Sequence, residues 1–320
     1  MKGVTDLSEN HRASGVKATR RSAAKNAAER IMNILFFVCG ITAVIAVAGI
    51  TIYMIIAGAP SIAQIGVAEF LFGRQWQPLA SEPQFGILYM ILSSLAGTLL
   101  AILIGVPVAL FTAVFLAELA PPALYKVVRP AVELLAGIPS VIYGIVGAML
   151  LVPLVREWEK VLFLDDPTHT FTGGANLVSA VLVLAVMILP TIINVSETAL
   201  KAVPREYKEA SLAMGASHIQ TIFKVMIRSA RSGIVTGIVL GIGRAIGEAM
   251  AIIMVAGNVV NLPLPFNSVR FLTTAIVTDM SYAAEGLHRQ SLFGIGLVLF
   301  VFIMIINIIL NVVLKGREGE

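Results

Sequence analysis

The chain has 320 residues, of which 58% are hydrophobic and only 13% charged, with a formal net charge of +4. An ordinary soluble domain is about 45–50% apolar and about 25% charged, so this composition excludes a soluble globule and indicates a polytopic membrane protein. The single cysteine, Cys39, allows no intrachain disulfide and no cysteine metal cluster, and reads as a small buried hydrophobe.

Residues 1–30 form a basic tail, with Lys17, Arg20, Arg21, Lys25 and Arg30 just ahead of the first apolar run. Its Ala/Ser-rich, polar composition suggests that much of it lacks order. A cytoplasmic tail obeying the positive-inside rule explains the charge better than a nucleic-acid-binding arm. Ile31–Ala57 is the first expected span. Ala57-Gly58-Ala59 resembles a signal-peptidase site, but the apolar core exceeds the roughly 7–15 residues of a cleaved signal, which makes it an uncleaved anchor. A short loop follows, with Trp76 and Tyr89 placed as interface anchors.

Gly86–Ala117 is the second expected span, with room to bend at Pro107, and Pro121-Pro122 end it. Pro130–Val155 is the third; Gly137 and Pro139 predict a kink or local unwinding there. Arg156–Ala175 reads as a loop. Asn176–Leu200 is the fourth span, Lys201–Arg231 a polar segment, Ser232–Gly257 the fifth span and Ser291–Leu314 the sixth. Between the last two, Asn261–Asn267 is turn-like, and Val269–Ala284 suits a short amphipathic surface helix. The membrane domain is thus residues 31–314, and residues 315–320 are a second short tail.

The Lys and Arg residues test this six-span layout. Seventeen of the 23 fall on the side of both termini and the 201–231 segment, five on the other, and Arg244 lies within a span. Both termini are expected in the cytoplasm.

A multispan chain normally joins its helices by short turns, yet residues 201–231 form a long internal segment rich in helix formers. Pro204 suits a helix start, Gly215 breaks the helix, and Ala216–Arg228 resumes it with Ile219, Ile222, Phe223 and Met226 on one face. Glu209-Ala210-Ser211 followed by Gly215-Ala216, with Val225 and Ile227 beyond, resembles the EAA loop of ABC importer permeases, although Arg228 stands where that pattern often has Pro. The runs Gly241–Asn258 (GIGRAIGEAMAIIMVAGN) and Gly137–Gly144 (GIPSVIYG), and the GLH at Gly286–His288, are similar to the PstC-type permeases of phosphate importers. The resemblance covers roughly residues 85–314.

Arg244 and Glu248 lie in the fifth span, where a charge costs roughly 2.5–3.5 kcal/mol. Four residues apart on a continuous helix, they share a face and can pair. Two stripes of small residues run beside them, Gly233-Gly237-Gly241-Ala245-Ala249 and Gly243-Gly247-Ala251, a spacing that lets another helix approach closely. A static bridge that locks packing is one reading. The other gives Arg244 and Glu248 a place on an anion route, because a guanidinium fork matches phosphate oxygens. Glu133 and Glu197 sit near inner helix ends and read as interfacial or structural. His169, His218 and His288 share no ligand spacing, so no metal site is expected. No phosphate loop, HExxH or Ser-His-Asp arrangement is recognisable.

The resemblance implies an all-α, type I ABC importer permease with six transmembrane helices in a bacterial inner membrane. It implies a second homologous permease subunit, two copies of an ATPase subunit that hold the ATP and Mg, and a periplasmic phosphate-binding protein. It further implies that Glu209, Ala210, Ser211, Gly215 and Ala216 dock on the ATPase, and that this chain carries no catalytic residue or cofactor of its own. Rival readings are a permease for phosphonate, sulfate or molybdate, an ion-driven secondary transporter, for which no convincing internal repeat is present, and a non-transporting scaffold.

Overall fold

The computed structural model describes residues 5–315, with side chains described over 29–308. The chain divides into two compact units, Met1–Ile56 and Ala57–Glu320. Helix α1 (Thr5–Ile65) crosses that boundary. Its backbone is already helical through the basic tail, where the sequence suggests little order; Ala, Lys and Arg dominate there, and all are strong helix formers. From Ile31 to Ile56 nearly every side chain is exposed, Cys39 included. The expectation of a buried cysteine therefore fails: this stretch is apolar all round and its side chains stay exposed.

Within Ala57–Glu320, α2 (Val67–Phe72) leads into a two-stranded hairpin, β1 (Trp76–Gln77) and β2 (Gln84–Phe85), paired Trp76 to Phe85. Helix α3 (Leu88–Val114) continues through a π-helical turn, Phe115–Leu119. Pro107 lies inside α3 without breaking it. α4 (Pro122–Gly137) ends at an extended Ile138, and α5 (Ser140–Val146) restarts after Pro139. Proline has no N–H to donate and forces the residue before it out of the helical region, so the expected kink is a complete break. The apolar stretch long enough to span is consequently Ser140–Leu162, made of α5, a π turn at Gly147–Leu151 and α6 (Val152–Leu162). It absorbs residues that the sequence alone assigns to a loop.

Helix α7 (Leu177–Lys201) is the centre of the core. Asn176 caps it, accepting from the Ser179 N–H at 3.2 Å, and the helix is buried on most of its circumference. A helix that is hydrophobic all round is stable only when surrounded; α3, α4, α5 and two later helices, Arg231–Ile246 and Met250–Val255, supply the surroundings.

The chain then forms α8 (Arg205–Ala213), α9 (His218–Thr221), a π turn at Ile222–Met226, α10 (Ile227–Ser229), α11 (Arg231–Ile246) and α12 (Met250–Val255). The path bends by 71° between His218–Ser229 and Arg231–Ile246. The expected single helix over Ser232–Gly257 is thus two helices with a break at residues 247–249; Gly243 and Gly247 lower helix propensity just there.

Helix α13 (Leu272–Asp279) is shorter than the surface helix expected over Val269–Ala284, and it is buried. Ser94 of α3 accepts its first N–H, that of Leu272, at 3.0 Å, which ties it into the protein. Helix α14 (Leu287–Lys315) closes the fold. Its Phe293 and Gly294 backbone lies so close to Gly58 of α1 that a Cβ there would come within 2.7 Å.

Among the described residues, and counting the bent pair as one, six helical stretches are long and apolar enough to cross a membrane. Two secondary clusters mark opposite ends of α3. Phe70, Trp76, Phe85, Ile87, Met90 and Leu272 gather at its start. Val114, Leu200, Ile222, Met226 and Ile234 gather at its finish, beneath the α8–α10 segment.

Candidate functional site

The break between α11 and α12 places Arg244 and Glu248 in different local structures. Arg244 is in the last turn of α11 and half-buried. Its Nη1 donates a long hydrogen bond, 3.4 Å, to Thr191 Oγ1 in the middle of α7. Glu248 lies in the break itself. Its Oε1 accepts the Ala251 N–H at 3.0 Å, and its backbone carbonyl accepts from Thr273 Oγ1 at 2.7 Å.

The expected Arg244–Glu248 pair is absent. An i,i+4 pair needs a continuous helix, and at residues 247–249 there is none. The carboxylate instead satisfies an N–H that the start of α12 leaves open. The guanidinium is left with one weak neutral partner.

The two motif runs meet at this place. Gly144 of α5 sits so near α12 that a Cβ would come within 2.9 Å of the Ala251 Cα. This brings Tyr143 within electrostatic reach of Arg244, while its hydroxyl donates to the Leu135 carbonyl across the Ile138–Pro139 break at 2.6 Å.

Of the two small-residue stripes, the first does what the spacing predicts. A Cβ at Gly233 would meet Ala199 Cβ at 2.3 Å, one at Gly237 would meet Val195 at 3.2 Å, and one at Gly241 would meet Ile192 at 2.7 Å. All three neighbours belong to α7. The second stripe divides: Gly243 has nothing within 4 Å, whereas Ala251 is buried against Gly144.

At the finish of α3, the expected helix–turn–helix is present. Pro204 precedes α8, and Gly215 turns the chain with φ +85°, a conformation glycine adopts without a Cβ penalty. Ser217 and Gln220 form a capping box that starts α9. Ser211 is buried and shares a 2.9 Å hydrogen bond with Thr221, which holds the two helices together. Glu209, Ala210 and Gly215 are exposed and Ala216 is half-exposed. The four apolar residues expected on one face divide. Ile222 and Met226 are 1% and 3% exposed and pack inward, while Ile219 and Phe223 are 67% and 50% exposed. The π turn at Ile222–Met226 adds a residue to the winding and rotates the face.

Residues 105–317 match the family described as binding-protein-dependent transport system inner membrane component. The chain is 38% identical over 278 residues to YqgH of Bacillus subtilis, a probable ABC transporter permease protein, covering 84% of this chain and 86% of that one. It is 34% identical over 284 residues to the phosphate transport system permease protein PstC of Haemophilus influenzae, covering 86% and 89%. The chain belongs to this permease family. Among solved structures, it resembles the MetNI methionine ABC transporter in an inward-facing form. That likeness has TM-score 0.54 at 20% identity, over 72% of this chain and 95% of that one, and bears on fold alone.

The permease is therefore a multi-pass inner-membrane protein of type I importer fold, as its motifs suggested. Glu197 is structural, as its place near a helix end suggests, but its partners escaped the sequence reading, as did a second cluster. Glu197, 1% exposed, accepts from Tyr125 at 3.0 Å and Lys201 at 2.7 Å and pairs with Arg129, clamping α4 to α7. Glu197 and Lys201 are four apart on one helix and could have been read as a pair; Arg129 and Tyr125 come from elsewhere and could not. At the start of α3, Trp76 is buried instead of anchoring at an interface. Its Nε1 donates to Asp279 at 2.8 Å, and Asp279 also pairs with Arg270. No spacing announces that cluster.

Proposed function

We propose that this chain is one of two transmembrane subunits of an ATP-driven importer of inorganic phosphate, lining half of the route. Arg244 carries this reading. A guanidinium at the end of α11 lies against the middle of α7, with no carboxylate within ion-pair distance among the described residues and one 3.4 Å hydrogen bond. Such a charge is costly in a membrane interior and suits a passing oxyanion, which a guanidinium meets with two parallel N–H groups. The phosphate assignment comes from the relatives' names. Glu248 holds the adjoining helix start in shape, so it sets where the break lies while Arg244 meets the substrate.

The α8–α9 segment couples the permease to a separate ATPase subunit. Glu209, Ala210, Gly215 and Ala216 present the turn, Ser211 braces it, and exposed Met214, Ile219 and Phe223 give an apolar patch for a partner to cover. Two ATPase copies bind the ATP and Mg, and this chain needs no cofactor of its own. The Lys/Arg asymmetry puts this segment and both termini in the cytoplasm. The start of α3 then faces outside, where a phosphate-binding protein delivers its load.

The test is ATP-dependent phosphate uptake into proteoliposomes bearing the complete complex, comparing the parent with Arg244→Gln and Arg244→Lys. Both variants should co-purify with the ATPase; Gln should abolish uptake, and Lys should retain a few per cent. Normal uptake by an assembled Arg244→Gln complex overturns the assignment of Arg244. Competition by phosphonate, sulfate or molybdate stronger than that by unlabelled phosphate overturns the substrate.

A further inference from the structure

A second concentration of cationic chemistry lies at the other end of the fold. A cavity of about 580 Å³ opens between the β1–β2 hairpin, the first turn of α3 and the segment that follows α12. Arg74 and Arg270 both line it, together with Trp76, Tyr89 and Asn258, and no carboxylate does. It is separated from the α8–α10 segment by the length of the Leu88–Leu119 helical stretch, 32 residues, or roughly 48 Å at 1.5 Å per residue.

Arg270 is 9% exposed. One edge of its guanidinium is committed: Nη2 pairs with Asp279 and donates to Thr278 Oγ1 at 2.5 Å. Asp279 is itself held by Trp76 Nε1 at 2.8 Å and Tyr282 Oη at 2.6 Å. The Nε of Arg270 is buried and has no hydrogen-bond partner. A buried donor without an acceptor is destabilising, so a fold that keeps one beside a cavity has a use for it.

Asn258 supplies an independent observation. It is the one non-glycine residue at positive φ among the described residues, φ +53°. The backbone is held there by the Gly257–Val269 bridge and by Gly257, whose missing Cβ leaves room for Ser268 and the Ala175 carbonyl. Its Oδ1 is also buried and unpartnered. Turning the amide over exchanges that acceptor for a donor. Held backbone strain and unmatched polar groups converge on ligand sites more than elsewhere.

We propose that this cavity is a receiving site for a tetrahedral oxyanion on its way from the outside into the membrane route. Arg270 offers the guanidinium N–H groups that Asp279 and Thr278 leave open, Arg74 adds charge at the mouth, Asn258 adds a neutral donor, and Asp279 acts as a positioning residue that fixes the Arg270 guanidinium. Buried Asp279 offsets the charge of Arg270, which leaves Arg74 to make the site net positive. An anion therefore gains there without being trapped. The proposal deepens the phosphate-importer reading and rests on it.

The chain has two tryptophans, so Trp158→Phe leaves Trp76 as its sole indole reporter. The complete complex in nanodiscs, without binding protein or nucleotide, is titrated with inorganic phosphate and separately with sodium sulfate while emission is followed. A Trp76→Phe/Trp158→Phe complex removes the partner subunits' background. The expected result is a saturable Trp76 change whose midpoint rises at least tenfold in Arg74→Gln and in Arg270→Lys. Arg270→Lys keeps a cation for Asp279 and so keeps the fold. The midpoint should not move in Arg244→Gln.

A complex that imports phosphate but shows no saturable Trp76 response overturns the site and leaves the function standing. A response unchanged by Arg74→Gln also overturns it. A Trp76 response to sulfate or phosphate in a complex that does not import phosphate supports the site and removes the substrate assignment.

Discussion

Arg244 and Glu248 were legible as residues and illegible as a pair. Two charges in an apolar run stand out at once, but their relation depends on whether the helix between them continues. Because Glu248 acts through Oε1 on the Ala251 N–H, Glu248→Gln should preserve local stability, whereas Glu248→Ala should cost about 1 kcal/mol, the usual value of a lost cap. Thermal unfolding of the purified complex followed by circular dichroism measures the difference; equal losses for both would show that charge matters there rather than capping. Glu197 is a sharper case. Removing the buried carboxylate leaves Lys201 without its partner and Arg129 with Glu133 alone, and because both cations are partly exposed the cost is about 1–3 kcal/mol. Glu197→Ala should therefore reduce the yield of folded permease in detergent, and a second change, Arg129→Met, should restore part of it. A yield that stays normal in Glu197→Ala would mean that the clamp between α4 and α7 adds nothing.

At the level of elements, the glycine spacing foretold a close helix contact and the structure says with what. Gly233 of α11 faces Ala199 with no room for a methyl group, whereas Gly243 faces open space. Gly233→Val should disrupt α7–α11 packing and lower the amount of permease recovered with the ATPase; Gly243→Ala should leave it unchanged. Quantitative co-purification distinguishes them, and equal recovery would contradict the packing. In the α8–α9 segment, Gly215→Ala forces a Cβ into a left-handed conformation at about 1–2 kcal/mol. ATP hydrolysis by the complex should then respond less to added binding protein, with basal hydrolysis retained. The misplacement of Ile222 and Met226 has the same origin as that of Glu248. Periodicity counts on 3.6 residues per turn, and π turns and breaks reset the count without leaving a compositional mark.

For the molecule as a whole, one carboxyl group at the start of α3 joins the β1–β2 hairpin to residues 270–282, with Trp76 and Asp279 lying 203 positions apart. Burial would raise the Asp279 carboxyl above its ordinary range, but hydrogen bonds from Tyr282 and Trp76 and the Arg270 charge outweigh it and hold the group low. A carboxyl lowered on folding contributes stability that is present above its ordinary value, near 3.8, and is lost as pH falls through the lower folded value. The permease should therefore lose its packing there only in strong acid. Asp279→Asn should be less stable at pH 6 while flattening the dependence of melting temperature on pH below about 4. A parallel pH profile in parent and variant would sink that account.

Composition alone made this a membrane protein, and continuous apolar runs located the spans except the third, which starts at Ser140 and not at Pro130, and the fifth, which is broken at residues 247–249, because the bilayer demands length and hydrophobicity. Motif spacing located the helix–turn–helix at residues 205–221, since a glycine turn between short helices is a local feature of the chain. Local rules also foretold the weak point at Pro139. Tertiary structure alone decided that Arg244 stands without a carboxylate, that Trp76 is buried against Asp279, and that Arg129 meets Glu197. Each of these joins residues with no fixed separation along the chain, so their pairing follows from how the helices stack.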